Sequence, residues 1–222
     1  MNFSSYELPQ GLKLNLGCGP VQPRGWVNID GSNRAWLATR LNFVDRCLVK
    51  AGVLKPTEFG KQVTVLDLLK PLPYKNDSVA CVYAGELWEH LEIDQAHRLT
   101  AECFRVIAPR GCIRLVVPDG VHFWRRYLEI YDEMQAKPRG ERSEKPLVDH
   151  THLYFRDICT RKSWFGSIGH KHKWQYDDLQ LIRLLESHGF SQVERMEYRI
   201  SRIKDIDKLE MSDFLIVEGV KA

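Results

Sequence analysis

Two glycines one residue apart, Gly17 and Gly19, follow the alternating apolar run Leu12, Leu14 and Leu16, and a second short apolar run ends in the carboxylate of Asp30. Glycine removes the side chain where a backbone must turn sharply and a ligand must come close. An acid at the end of the neighbouring strand can accept hydrogen bonds from both hydroxyls of a ribose. The chemistry this trio suits is the binding of an adenosyl group. The dinucleotide fingerprint is the rival, and it asks for a third glycine three residues after the second and an acid about 20 residues on. Here Gln22 stands at the first of those positions and Asp30 comes too early. Pro20 and Pro23 leave no room for a full helix whose N-terminus would hold a pyrophosphate, so a cofactor without phosphates fits better. A lone GxG also suits a tight βα turn in an ordinary fold, and this stretch by itself leaves both readings open.

Other groups able to move protons lie farther along. His90 follows Glu89 and titrates in the useful range, either as a general base or as a residue bonded locally at a helix start. Two His pairs at i, i+2 occur in DHTHLYF (149–155) and GHKHKWQY (169–176). Imidazoles are good metal ligands, but no accompanying cysteine or carboxylate stands at a recognised zinc spacing, and no metal is expected. These His and aromatic residues read instead as the wall of an acceptor pocket. The six cysteines are scattered without a CxxC pair, several within apolar segments, as expected of buried reduced thiols in a cytoplasmic protein.

The elements that must position these groups follow from the periodicity. Strands are expected at Leu12–Leu16, Trp26–Ile29, Val63–Leu66, Val79–Ala84 and Ile113–Val117. Helices are expected at Arg34–Leu54, Leu87–Ile107, Val121–Met134 and Asp177–His188, with two final strands near Gln192–Ile200 and Phe214–Val220. Strands alternating with helices imply a mostly parallel, doubly wound sheet with helices on both faces, whose ligands bind beyond the carboxyl ends of the strands. Gly17 to Pro20, Asp30, Asp67, Glu86 and Asp119 each follow an apolar run and fall at those ends. The whole chain reads as one domain, with residues 120–176 inserted as a lid over the acceptor.

With 222 residues, 44% hydrophobic and 27% charged, the chain can bury a substantial core. No apolar run reaches the roughly 18 residues that span a bilayer, and MNFSSYELPQ lacks a secretory pattern. A net charge of +3 is too small and dispersed to argue for nucleic acid.

The ordered series LNLGCGP, GWVNID, DLLKPLPYKNDSVACVYAGELWEHL, FRVIAPRGCIRLVVPD and HGFSQV resembles the class I S-adenosylmethionine-dependent methyltransferases, and among them the bacterial type 11 kind. The resemblance implies a Rossmann-like sheet of seven strands with the last antiparallel, S-adenosylmethionine as donor and S-adenosylhomocysteine as product. It implies that Asn15, Gly17, Cys18 and Gly19 line the methionine end, that Asp30 holds the ribose, and that Asp67 with the backbone of Leu68 meets the adenine. Glu86 would face the cofactor and, with His90 and His172, is a candidate catalytic group. An HxWxY-like segment commonly precedes the late helix, and His172, Trp174 and Tyr176 fit it as acceptor contacts, followed by His152 and Tyr154. Three departures stand out: Asn15 where many relatives carry an acid, Arg110 in place of a turn glycine, and Gly85-Glu86 where Ser-His is frequent. The expected reaction is methyl transfer to an oxygen or nitrogen of a small molecule, a sugar or secondary metabolite. The alternatives are an RNA methyltransferase or nucleic-acid-binding protein using Lys171, Lys173, Arg125, Arg126 and Arg161, and a binding protein that keeps the fold without catalysis.

Overall fold

A computed structural model describes residues 3, 5–56, 59, 62–159 and 171–222, without the side chains of 153–159. Six strands form one sheet: β1 (Leu12–Leu16), β2 (Val27–Ile29), β3 (Val79–Gly85), β4 (Ile107–Val117), β5 (Phe190–Arg195) and β6 (Leu215–Lys221). Their spatial order is β2-β1-β3-β4-β6-β5. β1, β2, β3 and β4 pair in parallel, and β6 runs antiparallel to both β4 and β5. Chain order reverses between β1 and β3, and a crevice opens at such a switch point.

The expected seventh strand, Val63–Leu66, is reduced to a single parallel bridge between Ile29 and Thr64. Thr64 donates to the carbonyl of Asn28 at 2.8 Å, and its own carbonyl accepts from the Asp30 amide at 3.2 Å. β2 is only three residues long, so it offers little ladder to extend. Two further expectations are corrected. The single helix over 34–54 is two, α1 (Asn33–Arg40) and α2 (Asn42–Lys50), broken at Leu41, whose backbone (φ −124°, ψ 46°) is not helical. The helix expected from Leu87 begins only at Ile93, as α3 (Ile93–Val106), and Trp88–His90 form a separate 3-10 turn. Arg110 adopts a left-handed φ of 64° within β4, which starts six residues earlier than the apolar run suggests.

One sheet face carries Leu14, Leu16, Val82, Ala84, Ile113, Leu115 and Val217, covered by α3 and by α6 (Asp178–Ser187). On the other face, Cys81, Tyr83, Cys112, Val116 and Ile216 pack against Met196, Ile203, Ile206 and Leu209 from the β5–β6 connection. α4 (Gly120–Ala136) and α5 (Lys145–Cys159) pack together, so part of the expected insertion is helical.

That second face contains an ion cluster. Arg114 on β4 is fully buried and donates from Nε to Glu210 Oε1 at 2.8 Å and from Nη1 to Glu218 Oε2 at 3.1 Å. It also reaches the carbonyls of Ile200 (2.9 Å) and Glu197 (3.2 Å). Arg202 joins Glu218 to Glu194 at 3.0 and 2.7 Å. The cluster fastens the β5–β6 connection to the sheet. Removing one member leaves opposite charges buried and uncompensated, so Arg114→Ala should lower the unfolding free energy by about 3–5 kcal/mol in urea denaturation. A loss under about 1 kcal/mol would show that water readily replaces the guanidinium.

Candidate active site

Gly17 and Gly19 both take left-handed backbone conformations, φ 65° and 49°, at the end of β1. This turn is tied from two sides. The Cys18 amide donates to the Ile29 carbonyl at 2.9 Å, and the Gly19 amide donates to Asp30 Oδ2 at 3.1 Å. Asp30 is 8% exposed, and its Oδ1 accepts from the Ser32 amide at 2.8 Å. The Ser32 hydroxyl in turn caps α1 by accepting from the Ala35 amide. A Cβ on Gly19 would find nothing within 4 Å, so the space beside the corner is open.

Asn15 is buried, and its amide nitrogen donates to the Val21 carbonyl at 2.8 Å and to Asn28 Oδ1 at 3.0 Å. It therefore also braces the loop that follows the glycines. Cys18 is buried beside Asp30, and burial first, then that charge, pushes its thiol up to about 12. It remains protonated and is no nucleophile.

Glu86 follows β3 with a left-handed φ of 54°. For a residue with a Cβ this costs about 1–2 kcal/mol and is concentrated at functional sites. Its Oε1 accepts from the Ser212 hydroxyl at 2.9 Å. A cavity of about 60 Å³ lies between these parts, lined by Asn15, Gly17, Cys18, Glu86, Met211 and Ser212 among others. It occupies the switch point between β1 and β3. Asp67, expected at the adenine, is exposed and accepts from the Leu69 amide at 3.0 Å, while the Leu68 side chain is buried in the core. Neither lines that cavity. Asp119 is the N-cap of α4, accepting from Val121 and His122.

A second group gathers after β3. Lys173 and Trp174 donate their amides to the Glu89 carbonyl (2.7 and 3.2 Å), and Gly120 donates to the Tyr176 carbonyl (2.9 Å). The extended segment 171–176 is thus strapped across the carboxyl ends of β3 and β4. This brings His172 to His90, with ring centroids 4.8 Å apart and an interplanar angle of 83°. Both Nε2 atoms lie 4.0 Å from Glu89 Oε1. Glu89 is 1% exposed, and burial pushes its carboxyl up to about 8, with the Glu86 charge acting the same way. In the sequence Glu89 stands out only as the neighbour of His90, because the approach of His172 is made by the fold.

Of the remaining acceptor candidates, Tyr176 is buried, and burial followed by the Glu89 charge pushes its phenol up to about 12. Trp174 is partly exposed and donates to Gln180 Oε1 at 3.0 Å. The two border an open groove of about 400 Å³ between α3 and α6. His152 is exposed on α5, and nothing places it near this group. The Tyr154 side chain lies outside the described residues, as does Arg161.

Residues 14–115 match the family model described as a methyltransferase domain of type 11. No curated protein sequence matches the chain. Among solved structures, an S-adenosylmethionine-dependent methyltransferase from Methanosarcina mazei has a TM-score of 0.51 at 15% identity, covering 98% of this chain and 95% of its own. One from Archaeoglobus fulgidus has a TM-score of 0.50 at 12% identity, with coverage of 99% and 90%. Another from Thermotoga maritima, a possible histamine N-methyltransferase, has 0.49 at 16%, with 97% and 84%. The first two share the fold of this chain.

The corner's closure gives a chemical prediction. In the folded chain at pH 8, an alkylating reagent should modify exposed Cys47 readily and buried Cys18, Cys81, Cys103 and Cys112 far more slowly, by peptide mass spectrometry. Labelling of Cys18 at the rate of Cys47 would mean that the glycine corner opens freely.

Proposed function

We propose that this chain, whose residues 14–115 match the methyltransferase domain of type 11, is an S-adenosylmethionine-dependent methyltransferase that methylates an oxygen or nitrogen of a small molecule. The observation that carries the reading is the cavity at the β1–β3 switch point, framed by the glycine corner and Glu86, with Asp30 directly behind the corner. The residues fit the donor. Asp30 accepts one hydrogen bond on each oxygen from the backbone. A carboxylate offers about four acceptor sites, so two remain for a ribose diol. Gly19 leaves room for close approach. Asn15, Gly17, Cys18 and Gly19 would line the methionine end, and Asp67 with the Leu68 backbone would mark the adenine side.

Bound S-adenosylmethionine supplies a methyl group already activated on a sulfonium. The protein then has to align the acceptor, exclude water and receive a proton where the acceptor carries one. Glu86 stands beside the methionine end as a carboxylate able to stabilise a positive donor. His90 and His172 supply the polar face on the acceptor side, with Trp174 and Tyr176 continuing the same strap as its apolar wall. His152 and Tyr154 keep only the family analogy as support for contacting the acceptor. A lid formed by residues 120–176 agrees with the strap across β3 and β4, and no helix among the described residues is long and apolar enough to cross a membrane.

The RNA reading draws less support from the charges. Arg126 pairs with Glu129 and Glu133, and Lys173 with Glu92, so these cations are offset locally rather than forming an open basic stripe.

Calorimetry with S-adenosylhomocysteine tests the donor site. Micromolar affinity, about 8 kcal/mol, is expected for the wild type. Asp30→Ala should weaken binding at least tenfold; unchanged affinity would remove Asp30 from the ribose role. On the acceptor side, His172→Ala should lower turnover while leaving S-adenosylhomocysteine affinity within about twofold. A parallel loss of both would place His172 in the donor site instead.

A further inference from the structure

We propose that Glu89, His90 and His172 form a binding site for a divalent first-row transition-metal ion. The proposal starts from the carboxylate. Glu89, the middle residue of the 3-10 turn, is buried, and neither of its oxygens accepts a hydrogen bond. A buried carboxylate without a hydrogen bond is costly and is normally relieved by a proton or a cation. The atoms facing it are imidazole nitrogens. One carboxylate oxygen and one nitrogen from each histidine all lie within 4.8 Å of one another.

The backbone fixes which nitrogen can act as a ligand. His90 Nδ1 lies 3.0 Å from the Lys171 carbonyl. A carbonyl only accepts, so Nδ1 donates to it, and Nε2, 4.0 Å from Glu89 Oε1, is the ring nitrogen that would act as the ligand atom in the neutral imidazole. An imidazole oriented by a backbone carbonyl through its other nitrogen is the usual arrangement of a metal-bound histidine. The same segment that supplies this carbonyl supplies His172, and it is held by its amide bonds to the Glu89 carbonyl. Two short segments far apart in sequence thus present three donors to one point. Local spacing around His172 shows no such ligand set, because the carboxylate reaches it through the fold.

The donor set selects the ion. Two imidazoles with one carboxylate suit iron(II), cobalt(II), manganese(II) or zinc(II) better than calcium or magnesium, which prefer oxygen. Bond lengths of about 2.0–2.2 Å require neighbouring donors to close to about 3 Å. Both histidines are partly exposed, at 15% and 23% of their side chains, and side-chain rotation can supply the movement from 4.0 Å. Three protein donors leave further coordination positions for water or an oxygen of a ligand. Two protonated imidazoles would also balance Glu89, but they would set like charges beside each other.

Cobalt(II) is the probe, because its visible absorption reports coordination. The full chain, stripped by chelator and dialysed, should bind one Co²⁺ per chain with micromolar affinity and develop visible bands. Glu89→Gln and His172→Ala should each weaken binding tenfold or more, and Co²⁺ should raise the melting temperature of the wild type but not of Glu89→Gln. S-adenosylhomocysteine affinity, measured in the same samples, shows that each variant is folded. Absence of saturable Co²⁺ binding to the wild type, or equal affinity in the wild type and both variants, overturns the site. The donor reading fails separately, through loss of S-adenosylhomocysteine binding in a wild type that still binds cobalt.

Discussion

The carboxylate of Asp30 sits where three parts of the chain must agree. Its oxygens take the amides of Gly19 and Ser32, its own amide binds the Thr64 carbonyl, and Ser32 caps α1. The glycine turn, the residual edge at Thr64 and the start of the first helix are all referred to one side chain. Hydrogen bonds to an ionised acceptor are the stronger kind, and they act here in a largely dry place. The open space beside Gly19 has a defined shape because this carboxylate is fixed. Any ligand that reaches it meets acceptor sites whose direction is already set.

The second face of the sheet solves a different problem. An arginine side chain in the middle of a mixed sheet would ordinarily be excluded by its desolvation. Arg114 is accommodated because Glu210, Glu218 and two backbone carbonyls converge on it. The β5–β6 connection, which has little regular structure, is held by these charges and by Ile203, Ile206 and Leu209 packing on the sheet.

Much of this was legible in the order of residues. Alternation marked Leu12–Leu16 because one-sided burial on a sheet imposes a period of two, and the continuous apolar run Val79–Ala84 marked a strand buried on both faces. The turn at Gly17–Gly19 was legible because glycines after a strand readily take positive φ, which both adopt here. The third strand was misread because apolar Val63–Leu66 has the composition of a strand, while ladder formation depends on a partner, and β2 is too short to provide one. The 3-10 turn at Trp88–His90 was read as helix because Trp88 and Leu91 keep helical spacing. Glu89 carried no signal apart from its place beside His90: its meaning comes from His172 and the strap, and that contact is made only in three dimensions. Asp67 and Leu68 were marked by the family pattern alone; in the structure the Asp67 carboxylate accepts from the Leu69 amide and the Leu68 side chain is buried in the core.

Leu209, a wall residue of the switch-point cavity, directly precedes Glu210, which Arg114 holds by both oxygens. The electrostatic cluster on the same sheet face therefore holds one wall of that cavity in place. Ordering that segment is then not charged against affinity when a small molecule arrives. A set of buried charges that touches no ligand can in this way sharpen selectivity, because a rigid wall rejects shapes that a compliant one would accept.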